Sequence, residues 1–292
     1  MNVNGLVVVD KEAGWTSHDV VARCRRIFGQ RRVGHAGTLD PDATGVLLVG
    51  LGRATRLLRF LTALPKTYTT DIVLGTATST LDASGEVVAT YDMAQVTPAM
   101  VRAGALALTG EIEQVPPMVS AVKVGGRRLH DLARQGVEVE RPARKVKVTR
   151  FEVEPDPVRP GVYRAEVECS SGTYVRVLAQ DLGRALGGGA HVANLRRTRI
   201  GPFGPAEMRR LDELGPDDVL TPAQAVVHLE AVTVASDVAV AVRTGLALDR
   251  VPLGATGEGP WALLDGHGDL LAVYEGTDTD RMVALCVLAG SG

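Results

Sequence analysis

Two runs of four consecutive apolar residues, Leu6-Val7-Val8-Val9 and Val46-Leu47-Leu48-Val49, set the terms on which this chain can fold. Each is too short for a helix and too continuous for a half-exposed strand, so each reads as a buried strand. The second run directly follows Gly34-His35-Ala36-Gly37-Thr38-Leu39-Asp40-Pro41-Asp42-Ala43-Thr44-Gly45, a stretch with three glycines and two carboxylates. A loop anchored to a buried strand is where a rigid scaffold presents chemistry. Pro41 biases Asp40 away from the helical region, so the carboxylate is held in an extended or turn conformation. An ordinary turn or helix start, with Asp40 as cap and Pro41 at the first position, is the alternative reading of the same pair.

Around these strands the patterns are mixed. Thr16 and Asp19 form a capping-box pair ahead of a helix with Val20, Val21, Cys24, Ile27 and Phe28 on one stripe. A second helical pattern over Leu57, Leu58, Leu61 and Leu64 stops at Pro65, and the Thr-rich stretch 66–74 alternates as a strand does. Thr97-Pro98 opens a helix that ends before Gly110. Residues 118–123 read as a strand, with a hairpin turn at Val124-Gly125-Gly126-Arg127. Strands at 151–153 and 163–169 flank a Pro-rich turn, a helix carries Leu178, Leu182 and Leu186, and 190–200 is strand-like. With hairpin signals recurring and no regular βα alternation, an α+β fold with a mixed, largely antiparallel sheet is expected. From about Ala231 the texture changes to short apolar runs broken by glycines, which reads as a small β-rich domain.

Charge divides the chain in the same place. Residues 1–210 hold 29 basic against 21 acidic residues, whereas 211–292 hold three against thirteen. A positive body of this kind is an electrostatic footprint for a polyanion. Arg23, Arg25, Arg26, Arg31 and Arg32 lead into the Asp40 loop, and a second basic tract runs from Arg127 to Arg150. Three well-separated cysteines at no metal or redox spacing suit a reducing cytoplasm, and no apolar run approaches the roughly 20 residues of a membrane helix. The six histidines form no i, i+4 pair, no phosphate-binding Gly-x-x-x-x-Gly-Lys loop occurs, and Gly187-Gly188-Gly189 lacks a dinucleotide fingerprint. What remains is a held carboxylate, a strand tyrosine, Tyr68, and a basic surface, a set that suits chemistry on a nucleic acid with no cofactor and no metal.

The 34–47 segment resembles the active-site segment of the TruB family of tRNA pseudouridine synthases, which isomerise uridine 55 of the T-loop. Four further segments agree in order: Gly5-Leu6-Val7-Val8-Val9-Asp10-Lys11, Lys66-Thr67-Tyr68, Pro116 to Lys123, and Gly172-Thr173-Tyr174-Val175-Arg176 with Ala190 to Arg197. The resemblance implies a pseudouridine synthase fold over residues 1–230, an RNA-gripping insertion at about 118–150, and a PUA-like domain at 231–292. It also implies Asp40 as the catalytic aspartate and Arg176 as its partner, a pair that lowers a carboxylate pKa. Tyr68 would stand beside the flipped base as stacking partner and proton acceptor, and Leu195 would line the uracil pocket. His35 would help displace the target nucleotide, with Thr38 and Lys11 contacting substrate. The implied partner is the tRNA T-arm, bound by a cytoplasmic monomer. Glu12 departs from the family's usual Lys-Pro and leaves the turn after Lys11 less rigid. A non-catalytic tRNA-folding protein would need only the basic body, and Asp40, Tyr68 and Arg176 together count against it; a small-molecule hydrolase could use Gly34 to Thr38 to hold phosphate, which the extended basic segments disfavour.

Overall fold

The computed structural model describes residues 3–117, 123–124, 127–128, 139 and 141–288. Its main sheet holds β1 (Gly5–Lys11), β2 (Val33–Ala36), β3 (Thr44–Leu51), β4 (Lys66–Leu74), β5 (Gly110–Gln114), β6 (Arg144–Pro155), β7 (Val162–Cys169), β8 (Ala190–Ile200) and β9 (Met208–Arg210). The strand order is β9-β1-β3-β8-β4-β7-β6-β5, with β2 also on β3. All pairings are antiparallel except β1 with β9 and β3 with β8. The expected mixed, largely antiparallel α+β core is what the chain forms.

The two apolar runs are continuous because both faces of β1 and β3 are covered. Val7, Val9, Leu47 and Val49 pack with Val20, Val21 and Cys24 of helix α1 (Ser17–Ile27). On the opposite face Leu6, Val8, Val46 and Leu48 join a cluster with Ala262, Leu270, Val273 and Cys286. Those last four belong to a second, five-stranded sheet that begins at Glu230. Alternation along one strand thus serves two cores at once. The capping box forms as its spacing implies, with Thr16 Oγ1 accepting from the Asp19 amide at 3.1 Å and Asp19 Oδ2 accepting from the Thr16 amide at 2.9 Å.

The remaining core lies where helices α2 (Pro98–Ala107) and α3 (Val175–Ala185) cover β4, β6, β7 and β8, with Leu178 and Leu182 buried. The pattern over Leu57 to Leu64 proves shorter than a regular helix. It winds as a 3₁₀ turn over Gly52–Leu57 and as α-helix only over Leu58–Thr62, since Gly52 at φ +58° and Pro65 leave little chain between them. Of the strand expected at 118–123, residues 118–122 lie outside the described residues, as does Arg134 of the basic tract, whereas Arg141, Arg144, Lys145, Lys147 and Arg150 are described; Lys123–Val124 and Arg127–Arg128 pair antiparallel. Among the described residues, no helix is long and apolar enough to cross a membrane.

The Asp40 loop arises from a split in this sheet. β2 pairs antiparallel with the Leu48 to Leu51 end of β3, while β8 pairs in parallel with the other end at Thr44 and Gly45. Residues 37–43 bridge the gap between β2 and β8. Gly45 sits at φ +99°, and a Cβ there would lie 2.1 Å from the Arg197 carbonyl oxygen. Both the backbone region and the close approach exclude a side chain. Gly45→Ala is therefore expected to destabilise the chain by about 2–3 kcal/mol, read as a lower urea midpoint at unchanged m-value.

Candidate active site

The loop is fastened from three sides. From β8, the buried Arg197 guanidinium enters the split, donating to the carbonyls of Val46 at 2.8 Å, Gly37 at 3.0 Å and Thr38 at 3.5 Å. From β1, Lys11 Nζ donates to the carbonyls of Glu12, Trp15 and Pro41 at 2.9, 2.6 and 2.8 Å. From α1, Ser17 Oγ accepts from the Leu39 amide at 2.9 Å and donates to its carbonyl at 3.2 Å. With the backbone carbonyls of the loop engaged, Asp40 has a fixed place to stand.

Arg176, at the start of α3 and only 4% exposed, meets Asp40 Oδ2 at 3.1 Å. The same guanidinium reaches Asp82 Oδ2 at 3.3 Å and donates to the Thr80 carbonyl at 3.0 Å. Beside Asp40 opens a cavity of about 250 Å³ with Thr38, Lys66, Tyr68, Thr173 and Leu195 among its lining. A second cavity of about 540 Å³ shares Asp40, Ala43, Arg176 and Leu195 with the first and adds Asp82 and Asn194. Leu195 reaches both because a β-bulge between Ala193 and Arg196 breaks the alternation of β8.

Burial sets the electrostatics. It pushes the Asp40 carboxyl above the usual carboxylate range; Arg176 opposes the rise and Asp82 adds to it. The expectation that the Arg176 pair holds this carboxyl down is thus corrected, because one arginine is shared between two carboxylates in a desolvated corner. Burial likewise raises the Tyr68 phenol, with Arg197 pulling the other way. The phenol stays neutral at ordinary pH, which fits stacking against a base and disfavours a phenolate proton acceptor. Desolvation takes the ammonium groups of both Lys11 and Lys66 down to about 8. Among the described residues, no group of three or more His, Cys, Asp or Glu side chains could hold a metal ion.

The sequence and the fold have known counterparts. Residues 25–175 match the TruB family pseudouridylate synthase N-terminal domain, and 176–232 match the tRNA pseudouridylate synthase B C-terminal domain. The chain belongs to the TruB family of pseudouridine synthases. A protein named tRNA pseudouridine synthase B from Arthrobacter sp. (strain FB24) is 46% identical over 285 residues, covering 93% of this chain and 92% of the relative. One of the same name from Mycobacterium avium (strain 104) is 57% identical over 217 residues, or 73% of this chain and 70% of the relative. Among solved structures, that of a Cbf5-Nop10-Gar1 complex contains a chain with TM-score 0.73 and 28% identity, covering 97% of this chain and 83% of that one.

In this TruB-family chain the structure gathers Asp40, Arg176, Tyr68, Leu195 and Thr38 around one cavity. It does not gather the other two. Lys11 has 0% exposure and directs its ammonium to three backbone carbonyls, so it supports the loop from beneath and lines neither cavity. That buried ammonium also holds the turn for which Glu12 lacks the proline, while Glu12 itself meets Arg210 at 2.7 Å. His35 stands outside both cavities on β2, edge-on to His18 with ring centroids 5.5 Å apart, its buried Nδ1 without a hydrogen-bond partner. Asp82 and Arg197 went unread in the sequence. The first sits in an Asp-Ala-Ser-Gly turn like any other, and the second hides in the basic run Arg196 to Arg199, where only strand pairing tells that it points inward.

Replacing Asp82 by asparagine removes a like charge and leaves Arg176 to Asp40 alone. The Asp40 carboxyl is then expected to titrate at lower pH than in the parent chain, as followed by the ¹³C shift of its carboxyl carbon.

Proposed function

We propose that this chain converts uridine 55 in the T-loop of tRNA to pseudouridine, with Asp40 as the catalytic carboxylate. The observation that carries the reading is a single held carboxylate, ion-paired to a buried arginine, at the mouth of a cavity walled by an aromatic ring and a leucine. Uracil must leave the ribose through nitrogen, turn, and rejoin through carbon. Attack on the sugar, attack on the base and removal of a sugar proton all require an anion at the glycosidic bond, and Asp40 supplies one. Tyr68 would stack on the base, and Leu195 would supply apolar wall to the same cavity. Arg176 keeps the carboxylate aimed.

The base reaches this cavity only after leaving the T-loop stack, at a cost of roughly a few kcal/mol. His35, on the strand that feeds the loop, would occupy the vacated position. Phosphates would be met by the exposed arginines 23, 25, 26, 31 and 32 of α1 and the turn after it, and by Arg144, Lys145 and Lys147 on β6. RNA of this kind is recognised through shape, phosphates and splayed bases. In this reading residues 1–230 are the catalytic domain and 231–292 a PUA-like accessory domain whose acidic balance gives it little share in phosphate binding.

The test is release of label from carbon 5 of uridine in a tRNA transcript. Wild type is expected to release one equivalent per modified site, and Asp40→Asn to slow release by roughly 10³-fold or more while still binding tRNA. A folded wild-type chain that releases none overturns the reading. Because Asp40 must be ionised and its pKa is raised, the rate is expected to fall as pH drops through a value above the usual aspartate range. Binding is expected to weaken steeply with salt as counterions are released, and a flat log Kd against log salt plot would remove the phosphate contacts.

A further inference from the structure

The bulge that delivers Leu195 is itself braced by side chains of β4 and of the turn between β6 and β7. Ala193 pairs with Asp71 and Arg196 with Thr69, so Asn194 and Leu195 together oppose Thr70 alone. Asn194 takes φ +53°, one of two non-glycine positions at positive φ among the described residues. Asparagine is among the few L residues that accept this region, and it does so when its amide is satisfied locally. Here Asn194 Nδ2 donates to Asp71 Oδ2 at 2.9 Å, and Thr70 Oγ1 donates to the Ala193 carbonyl at 2.8 Å. Asp71 is only 8% exposed, and its Oδ2 also meets Arg159 Nη2 at 2.9 Å. Arg159 is fixed in turn by Asp156 at 2.8 Å in the turn between β6 and β7.

A chain of contacts therefore runs from the β6–β7 turn through Arg159 and Asp71 to Asn194, which lines the second cavity and stands one residue before Leu195, the side chain shared by both. Without the amide bond the left-handed backbone at 194 loses the side-chain contact that offsets its cost for an L residue. A strand that lost its extra residue would swing the next side chain toward the other face, since alternation has a period of two. We infer that Asn194, held by Asp71, is a positioning residue of the isomerisation: it sets the Leu195 wall against which the flipped uracil is pressed toward Asp40 and Tyr68. This rests on the function proposed above.

The experiment measures single-turnover label release and tRNA Kd, together with the thermal midpoint, for wild type, Asn194→Ala, Asn194→Gly, Leu195→Ala and the double variant Asn194→Ala/Leu195→Ala. Small misplacements of a reacting group cost up to roughly a hundredfold, so Asn194→Ala is expected to lower the rate constant about ten- to hundredfold with Kd nearly unchanged. Asn194→Gly, which keeps the backbone region and loses the amide, should lie between it and wild type. If Asn194 acts through Leu195, the double variant is no slower than the slower single one. Wild-type rates in folded Asn194→Ala and Asn194→Gly, or losses that multiply in the double variant, overturn the inference and leave the function standing. A wild-type chain without label release overturns both.

Discussion

Arg197 carries a positive charge into the split between β2 and β8, and the shape of the site follows from what that charge finds there. Its guanidinium has five N–H donors, and burying them unpaired would be prohibitive. Three backbone carbonyls, of Val46, Gly37 and Thr38, accept from it. Those carbonyls lie on both sides of the Asp40 loop, so one side chain closes the loop at its entrance and its exit. Gly45 and Gly37 are the counterpart in backbone: at φ +99° and +79°, they let the chain pass close to that arginine. Lys11 repeats the device from β1. A loop tied by two buried cations through its carbonyl groups has little freedom left for Asp40 to lose on binding substrate.

The second constraint is the sharing of Arg176 between Asp40 and Asp82. A single buried pair would favour the charged carboxylate; two carboxylates on one guanidinium compete for it, and desolvation decides the direction. The result is an aspartate whose carboxyl titrates above the usual carboxylate range, less strongly stabilised as an anion than an isolated ion pair would make it.

Much of this was legible in the sequence, and the limits are physical. The buried strands, the capping box at Thr16, the helix over Leu178 and Leu182, and the α+β class follow from local periodicity. The Asp40 loop is legible because Gly, Asp and Pro are dense there. Asp82 is not, since its importance comes from a contact with Arg176 ninety-four positions away. Arg196 and Arg197 show the same limit more sharply: neighbours of identical type, one on a half-exposed pair with Asp10 at 2.8 Å, the other wholly internal. Register decides between them, and the bulge at Ala193 to Arg196 shifts that register by a residue. Lys11 was read as a substrate contact for the related reason that burial of a lysine leaves no mark in sequence.

The acidic C-terminal sheet sits on a basic body without depending on the charge difference. Its contact is the apolar cluster that joins Leu270, Val273 and Cys286 to Leu6, Val8, Val46 and Leu48. Arg53 and Arg56 add bonds to the backbone carbonyls of Leu288 and Val287 at 3.3 and 2.5 Å. Apolar burial is insensitive to the ionic strength that weakens exposed ion pairs. The strand that begins where the Asp40 loop ends, β3, is supported from beneath by a second sheet. That support explains why a run of four apolar residues stands directly behind the carboxylate: the element that aims Asp40 is buried on both faces, one against α1 and one against the C-terminal sheet.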